Sequence, residues 1–190
     1  MCLTSKNTKA RSLIVCLILS YFIMGELRAQ SQQPAQPTRK VLLAAARDLI
    51  DSTRFCVLIT LDEQGQPQAR AMDPFPPEEG MVIWFGTNRQ SRKVKQIRND
   101  PRVTVFYLDP SGAGYVTIIG TAKLVNDVAE KAKRWKKNWK AYYKDKRESY
   151  LLIQVIPNKL EVVNYRQNIT GDPVTWRAPV VEFKATETKK

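Results

Sequence analysis

Six runs of β-branched and aromatic residues dominate the chain: "FCVLITL" (55–61), "QPQARAM" (66–72), "GMVIWFGT" (80–87), "RVTVFYLD" (102–109), "GYVTIIGTAKLV" (114–125) and "YLLIQVIPNKLEVVNY" (150–165). Only two helical patterns interrupt them, which does not suit alternating βαβ units. The pattern suits a mainly β, antiparallel barrel with helices packed outside, because closure removes exposed sheet edges. "DEQG" between the first two runs reads as a tight hairpin turn, with Gly65 placed for positive φ.

The N-terminal segment stands apart from this pattern. Lys6, Lys9 and Arg11 precede the apolar run "LIVCLILSYFIM" (13–24), and "LRA" (27–29) offers a cleavage point after Ala29. Residues 1–29 therefore read as a secretory signal peptide. The run is shorter than the ~20 residues of a spanning helix, so no stable membrane span is expected after cleavage; an uncleaved N-terminal anchor is the alternative. Polar, proline-bearing "QSQQPAQP" (30–37) follows as a flexible tether, leaving 38–190 as one domain. The expected location is outside the cytoplasm, periplasmic or secreted. The signal lacks a twin-arginine pair, which suggests export in the unfolded state.

Removing 1–29 takes away Lys6, Lys9, Arg11, Arg28 and Glu26, so the net charge falls by three, from +13 to +10. Such a field favours anionic ligands or surfaces. Nucleic acid is not an expected partner for an exported protein. Cys2 and Cys16 leave with the signal peptide, and Cys56 lies in an apolar strand run, where a thiol is ordinarily a small core residue. The histidine count is zero. That excludes Ser-His-Asp and Cys-His catalysis, histidine-containing zinc sites and histidine-ligated haem. No metal site is expected.

"TRKVLLAAARDLIDST" (38–53) predicts an amphipathic helix with Thr38 as N-cap and Val41, Leu42, Ala45 and Leu49 on its apolar side. A second helix is expected over Ser91–Asn99, and a third from Asp127 to Lys144, opened by the Asp127-x-x-Glu130 pair. On the third, Trp135, Trp139 and Tyr142 would form one stripe among Lys133, Lys136, Lys137, Lys140 and Lys144: a docked surface helix, or one facing an anionic membrane. The tail "NITGDPVTWRAPVVEF" (168–183) would either cover a pocket mouth or close the barrel.

The second helix opens with two cations, Arg92 and Lys93, against the positive end of its own dipole, at about 0.3–1 kcal/mol each when exposed. An anion would offset this, facing free N–H groups, the hydroxyls of Thr87 and Ser91 and two basic side chains. Pairing of strand 66–72 with strand 80–87 would add Arg70. Three cations and two hydroxyls suit a phosphate dianion better than a carboxylate; solvated surface cations are the alternative.

"GQPQARAM" followed by "IWFGTNRQSRKVKQIRNDPRVTVFY" resembles the pyridoxamine 5′-phosphate oxidase-like split-barrel flavoproteins, in which an Arg-bearing strand precedes F-x-T-N-x-x-S-R-K. Phe85, Thr87, Asn88, Ser91, Arg92, Lys93 and Asn99 fall in order, with Pro101 displaced by Asp100. The resemblance covers roughly 40–165 and is nearest the general-stress-protein branch. It implies a six-stranded antiparallel split β-barrel with flanking helices, and FMN at the interface of a homodimer. It also implies that Arg70, Ser91, Arg92 and Lys93 hold the phosphate, that Thr87, Ala71, Met72 and Phe85 lie near the cofactor, and that Tyr115 approaches from the other subunit. The arginine-and-histidine motif with which the true oxidases grip their substrate is missing near the C-terminus.

With no histidine and no evident paired carboxylates, no catalytic acid or base is assigned. The leading expectation is an FMN-dependent oxidoreductase, oxidase or reductase, acting on an unknown small molecule. The alternative is a non-catalytic exported module that binds or stores flavin or another cofactor, a tetrapyrrole included. A third reading keeps the phosphate loop for packing alone and uses the basic helix to attach to an envelope surface.

Overall fold

The computed structural model describes residues 36–143 and 148–184. The signal peptide (1–29) and all but the end of the tether (30–37) lie outside the described residues. The elements in chain order are α1 (Arg39–Asp51), β1 (Cys56–Leu61), β2 (Pro67–Met72), β3 (Ile83–Asn88), α2 (Arg92–Asn99), β4 (Arg102–Leu108), β5 (Gly114–Val125), α3 (Val128–Lys133), β6 (Tyr150–Asn164) and β7 (Val180–Glu182). Short 3-10 turns cover Glu79–Met81, Lys137–Ala141 and Tyr165–Gln167.

All strand pairings are antiparallel and follow the order β2-β1-β4-β5-β6-β3, with the short β7 also on β6. The sheet curls into a half-barrel and does not close: seven strands rather than six, and an open path whose ends are β2 and β3. The expected β2–β3 pairing is therefore absent among the described residues. Each of these strands finds its partner elsewhere, β2 on β1 (Leu58 opposite Arg70) and β3 on β6 (Gly86 opposite Leu152). Strand 80–87 also begins later than its sequence suggests, because Gly80 and Met81 both take positive φ in the turn before it.

The hairpin turn is as expected. Gly65 has φ 75°, and the Asp62 carboxylate accepts from the amides of Gln64 and Gln66. Inward-facing residues of alternating strands, including Leu58, Phe85, Val105, Tyr107, Ile118, Ile153 and Leu160, form the main core. Helix α1 lies against this core through Leu42, Ala45, Ala46, Leu49 and Ile50. Thr38 caps it by accepting from the Val41 amide, while Val41 itself is exposed. Helix α2 buries Val94 and Ile97.

The third helix is much shorter than expected. Asp127 caps it through the Glu130 amide, but it ends at Lys133. The Tyr150 hydroxyl donates to the Arg134 carbonyl at 2.5 Å, engaging an acceptor that a continuing helix would present to residue 138. The buried Arg134 side chain lies 3.7 Å over the Trp84 ring and pairs with Glu78 and Glu130. Past this break the phase of the stripe changes, so that Tyr143 rather than Tyr142 packs with Trp135, Trp139 and Tyr150. Nor is the basic face wholly solvated, since Lys136 pairs with Asp73 at 2.7 Å. Among the described residues no helix is long and apolar enough to cross a membrane.

Candidate functional site

The gap between the two ends of the sheet holds a cavity of about 270 Å³. Its walls come from the end of β2 (Ala71, Met72, then Asp73), from β3 and the following loop (Gly86, Thr87, Asn88, Ser91), from Lys93 on α2, and from Trp139, Tyr142 and Tyr143. β2 and β3 thus meet across a cavity instead of a ladder, which is how two strands that never pair contribute to one site.

The polar end is built from α2 and the turn before it. Ser91 takes the extended N-cap conformation, and the Val94 amide donates to its carbonyl at 2.9 Å. Its hydroxyl, however, does not cap the helix. It lies 3.1 Å from the Thr87 hydroxyl, to which Lys93 Nζ donates at 3.2 Å. The first turn carries no acidic residue, so the helix starts without the side-chain acceptor that normally satisfies it. Thr87 is buried and Lys93 half-buried.

Arg70 approaches the same region by an unexpected route. Its guanidinium donates to the Leu58 carbonyl (3.2 Å), the Thr60 hydroxyl (2.6 Å) and Gln96 Oε1 (3.0 Å), and Thr60 in turn donates to Gln96 at 2.6 Å. Arg70 is thereby tied to α2 through Gln96, one turn beyond Lys93. Burial, and then repulsion by Arg70 and Arg92, pull the Lys93 pKa below the ordinary lysine value. Burial, followed by the Arg92 charge, lowers that of Arg70. Ion pairs form elsewhere on the surface, but among the described residues no carboxylate lies within ion-pair distance of Arg70, Arg92 or Lys93. Three mutually repelling cations beside an uncapped helix start have the composition of a candidate anion site.

Of the residues expected at the site, Ala71, Met72, Thr87, Ser91 and Lys93 line the cavity. Arg70 and Arg92 are off its wall and act on Lys93 through their charge. Phe85 is not on the cavity wall: two residues from Thr87 on the same face of β3, it is fully buried in the main core. Tyr115 lies on β5 with its ring 5.9 Å from Phe106, away from this chain's own cavity. Sequence reasoning missed Asp73, Gly86 and the aromatic wall. A glycine inside a strand was the available signal, since it marks close approach by another group. A Cβ on Gly86 would stand 2.3 Å from the Trp139 ring.

A larger depression of about 710 Å³ lies between Arg39, Glu79, Ile156, Pro157, Glu182 and Phe183. It includes none of the three coupled cations, so the smaller cavity is the better candidate. Among the described residues no group of three or more metal-ligating side chains could hold an ion.

Comparison with known proteins bears on the family and the fold. The profile of the family described as "Pyridoxamine 5'-phosphate oxidase like" matches residues 43–169. The pyridoxine/pyridoxamine 5′-phosphate oxidase of Escherichia coli O7:K1 is 38% identical over 107 residues, 54% of this chain and 47% of that protein. The chain thus matches about half the length of this curated relative. General Stress Protein 26 from Bacillus anthracis str. Sterne superimposes with a TM-score of 0.59 at 22% identity, covering 74% of this chain and 97% of its own. A heme binding protein from Mycobacterium smegmatis does so with a TM-score of 0.55 at 20% identity, covering 67% and 55%. These two likenesses establish the half-barrel fold.

Proposed function

The chain belongs to the pyridoxamine 5′-phosphate oxidase-like family, and from that premise we propose that it binds FMN and works as an FMN-dependent oxidoreductase on a small molecule. The observation that carries this reading is the cluster of Arg70, Arg92 and Lys93 without a carboxylate partner among the described residues, at a helix start whose N-cap hydroxyl turns away. Lys93, Thr87 and Ser91 would hold the phosphate oxygens. Arg70, fixed by Gln96, Thr60 and the Leu58 carbonyl, and Arg92 on the solvent side would supply the field that keeps the dianion in place. The backbone of Ala71 and Met72 would border the ring. A bound flavin supplies acceptance and return of a hydride or electrons, while the protein positions it.

The cavity of about 270 Å³ is below the roughly 300–1,000 Å³ of complete cofactor pockets, consistent with half of a shared site. The outer face of the sheet supports a homodimer that completes it. Register places Ala71 opposite Val57 and Val57 opposite Phe106, and the same face carries Ile59, Tyr115, Ile119 and the 57% exposed Leu108. An apolar row of this kind is a surface that a second copy would cover, and it leads to the cavity edge at Ala71. In the dimer Tyr115 would reach the partner's flavin.

Asp73 is the one carboxylate on the described wall and is paired with Lys136, so no unpaired carboxylate faces the cavity among the described residues. That favours chemistry carried by the flavin with weak commitment to one substrate. It equally favours the second reading, a module of the general-stress-protein type that retains flavin outside the cytoplasm without turnover. Titration of the purified chain with FMN and riboflavin in parallel tests the shared premise. Charge-assisted phosphate contacts of about 1.5–3 kcal/mol each make FMN at least 10-fold tighter. Equal affinities refute the phosphate site, and reduction and reoxidation of bound FMN by a donor separate enzyme from store.

A further inference from the structure

The same cavity that Lys93 lines is also lined by Trp139, Tyr142 and Tyr143, and the first two are held in opposite ways. Trp139 is fixed. Its ring packs on Phe75 (5.6 Å), Trp135 (6.1 Å), Tyr143 (5.9 Å) and Tyr150 (5.4 Å), and the missing side chain of Gly86 makes room for it. It is only 8% exposed, yet it reaches the cavity. Tyr142 borders the same cavity at 75% exposure, and its side chain makes no hydrogen bond or ring contact among the described residues. Packing therefore explains Trp139 and leaves Tyr142 unexplained. Large apolar rings in solvent beside a built polar site are the material of ligand walls.

We infer that Trp139 and Tyr142 form a ring-binding wall of the cavity that Lys93, Thr87 and Ser91 also line, selecting phosphate esters of planar aromatic ring systems over phosphate itself. Trp139 is the rigid face, placed against β3 by Gly86. Tyr142 is the adjustable one, turning onto a ring already anchored by its phosphate. Selectivity for the ring comes in this way from a segment far in sequence from the phosphate loop. This inference rests on the phosphate reading above.

The test uses the full chain and its Tyr142→Ala, Tyr142→Phe and Lys93→Ala variants, with FMN, riboflavin and pyridoxal 5′-phosphate as direct probes and orthophosphate as competitor. Tyr142→Ala should raise the dissociation constants of FMN and riboflavin about fivefold, within what one aromatic pair contributes, and leave the orthophosphate competition constant unchanged. Tyr142→Phe should bind as the wild type does, since only the ring is used. Lys93→Ala should weaken FMN and orthophosphate but not riboflavin. If Tyr142→Ala binds FMN normally while Lys93→Ala does not, the wall is refuted and the phosphate site stands. If Lys93→Ala binds FMN normally while Tyr142→Ala does not, the phosphate site falls and the wall stands. Equal weakening of FMN and orthophosphate by Tyr142→Ala, or no binding of either aromatic phosphate by the wild type, overturns the inference.

Discussion

Replacing Lys93 by Met should make the ligand-free protein more stable and the ligand-bound protein less so. Methionine keeps most of the apolar stem and removes a charge that burial and two neighbouring cations disfavour. Exposed charge pairs are worth about 0.2–1 kcal/mol; with two partly screened repulsive partners, against the loss of one hydrogen bond to Thr87, a net gain of about 0.5 kcal/mol is expected. For a chain of this size that is about 1–2 °C in Tm at low salt, shrinking as salt screens the repulsion. Loss of one charge-assisted contact weakens FMN roughly 10- to 100-fold. At FMN concentrations 100 times the wild-type Kd, the wild type gains about 2.7 kcal/mol from binding, and a variant 50-fold weaker gains about 0.6 kcal/mol. The order of melting temperatures should therefore reverse when FMN is added. Differential scanning fluorimetry at two salt concentrations, with and without FMN, reads all four states. A variant that melts below the wild type without ligand, or that FMN stabilises equally, refutes the view that Lys93 is held for an anion.

FMN affinity should fall as pH rises, beginning below the ordinary lysine pKa, because the Lys93 pKa is lowered and its charge is lost early; titrations from pH 7 to 10 check this. The sign for stability is opposite. The unfolded chain holds the Lys93 proton more tightly, so between the folded and unfolded pKa values this group adds stability with rising pH. Gly86→Ala puts a methyl 2.3 Å from the Trp139 ring and should lower stability by about 1–3 kcal/mol in urea unfolding. Tyr150→Phe removes the donor to the Arg134 carbonyl and should lower stability by about 1 kcal/mol or somewhat more in the same assay. Burial pushes the Cys56 thiol up to about 12, so thiol reagents at pH 8 should label it only after unfolding, as read by peptide mapping.

Features set by local chemistry were legible in the sequence. Strand runs, the Asp62–Gly65 turn and the start of α2 each follow from residues within a few positions of one another. The cation cluster was legible because Arg92 and Lys93 contradict the helix dipole. Features set by distant partners were not. The hairpin turn shows that β1 takes the hydrogen bonds of β2, but nothing in β3 shows that β6, more than 60 residues on, takes its own. The end of α3 depends on a hydroxyl 16 residues away in Tyr150. Phe85 sits inside a recognisable motif and shares a face of β3 with Thr87, yet its position further back along the strand places it in the core, while the apparently blank Gly86 opens the space that Trp139 fills.

The central claim is that the cationic start of α2 exists to hold a phosphate group, and a crystal structure of the protein with FMN tests it most directly. The account predicts phosphate oxygens within hydrogen-bond distance of Lys93 Nζ, the Thr87 and Ser91 hydroxyls and the first amides of α2. FMN seated elsewhere, or bound with its phosphate in solvent and Lys93 still on Thr87, would contradict it.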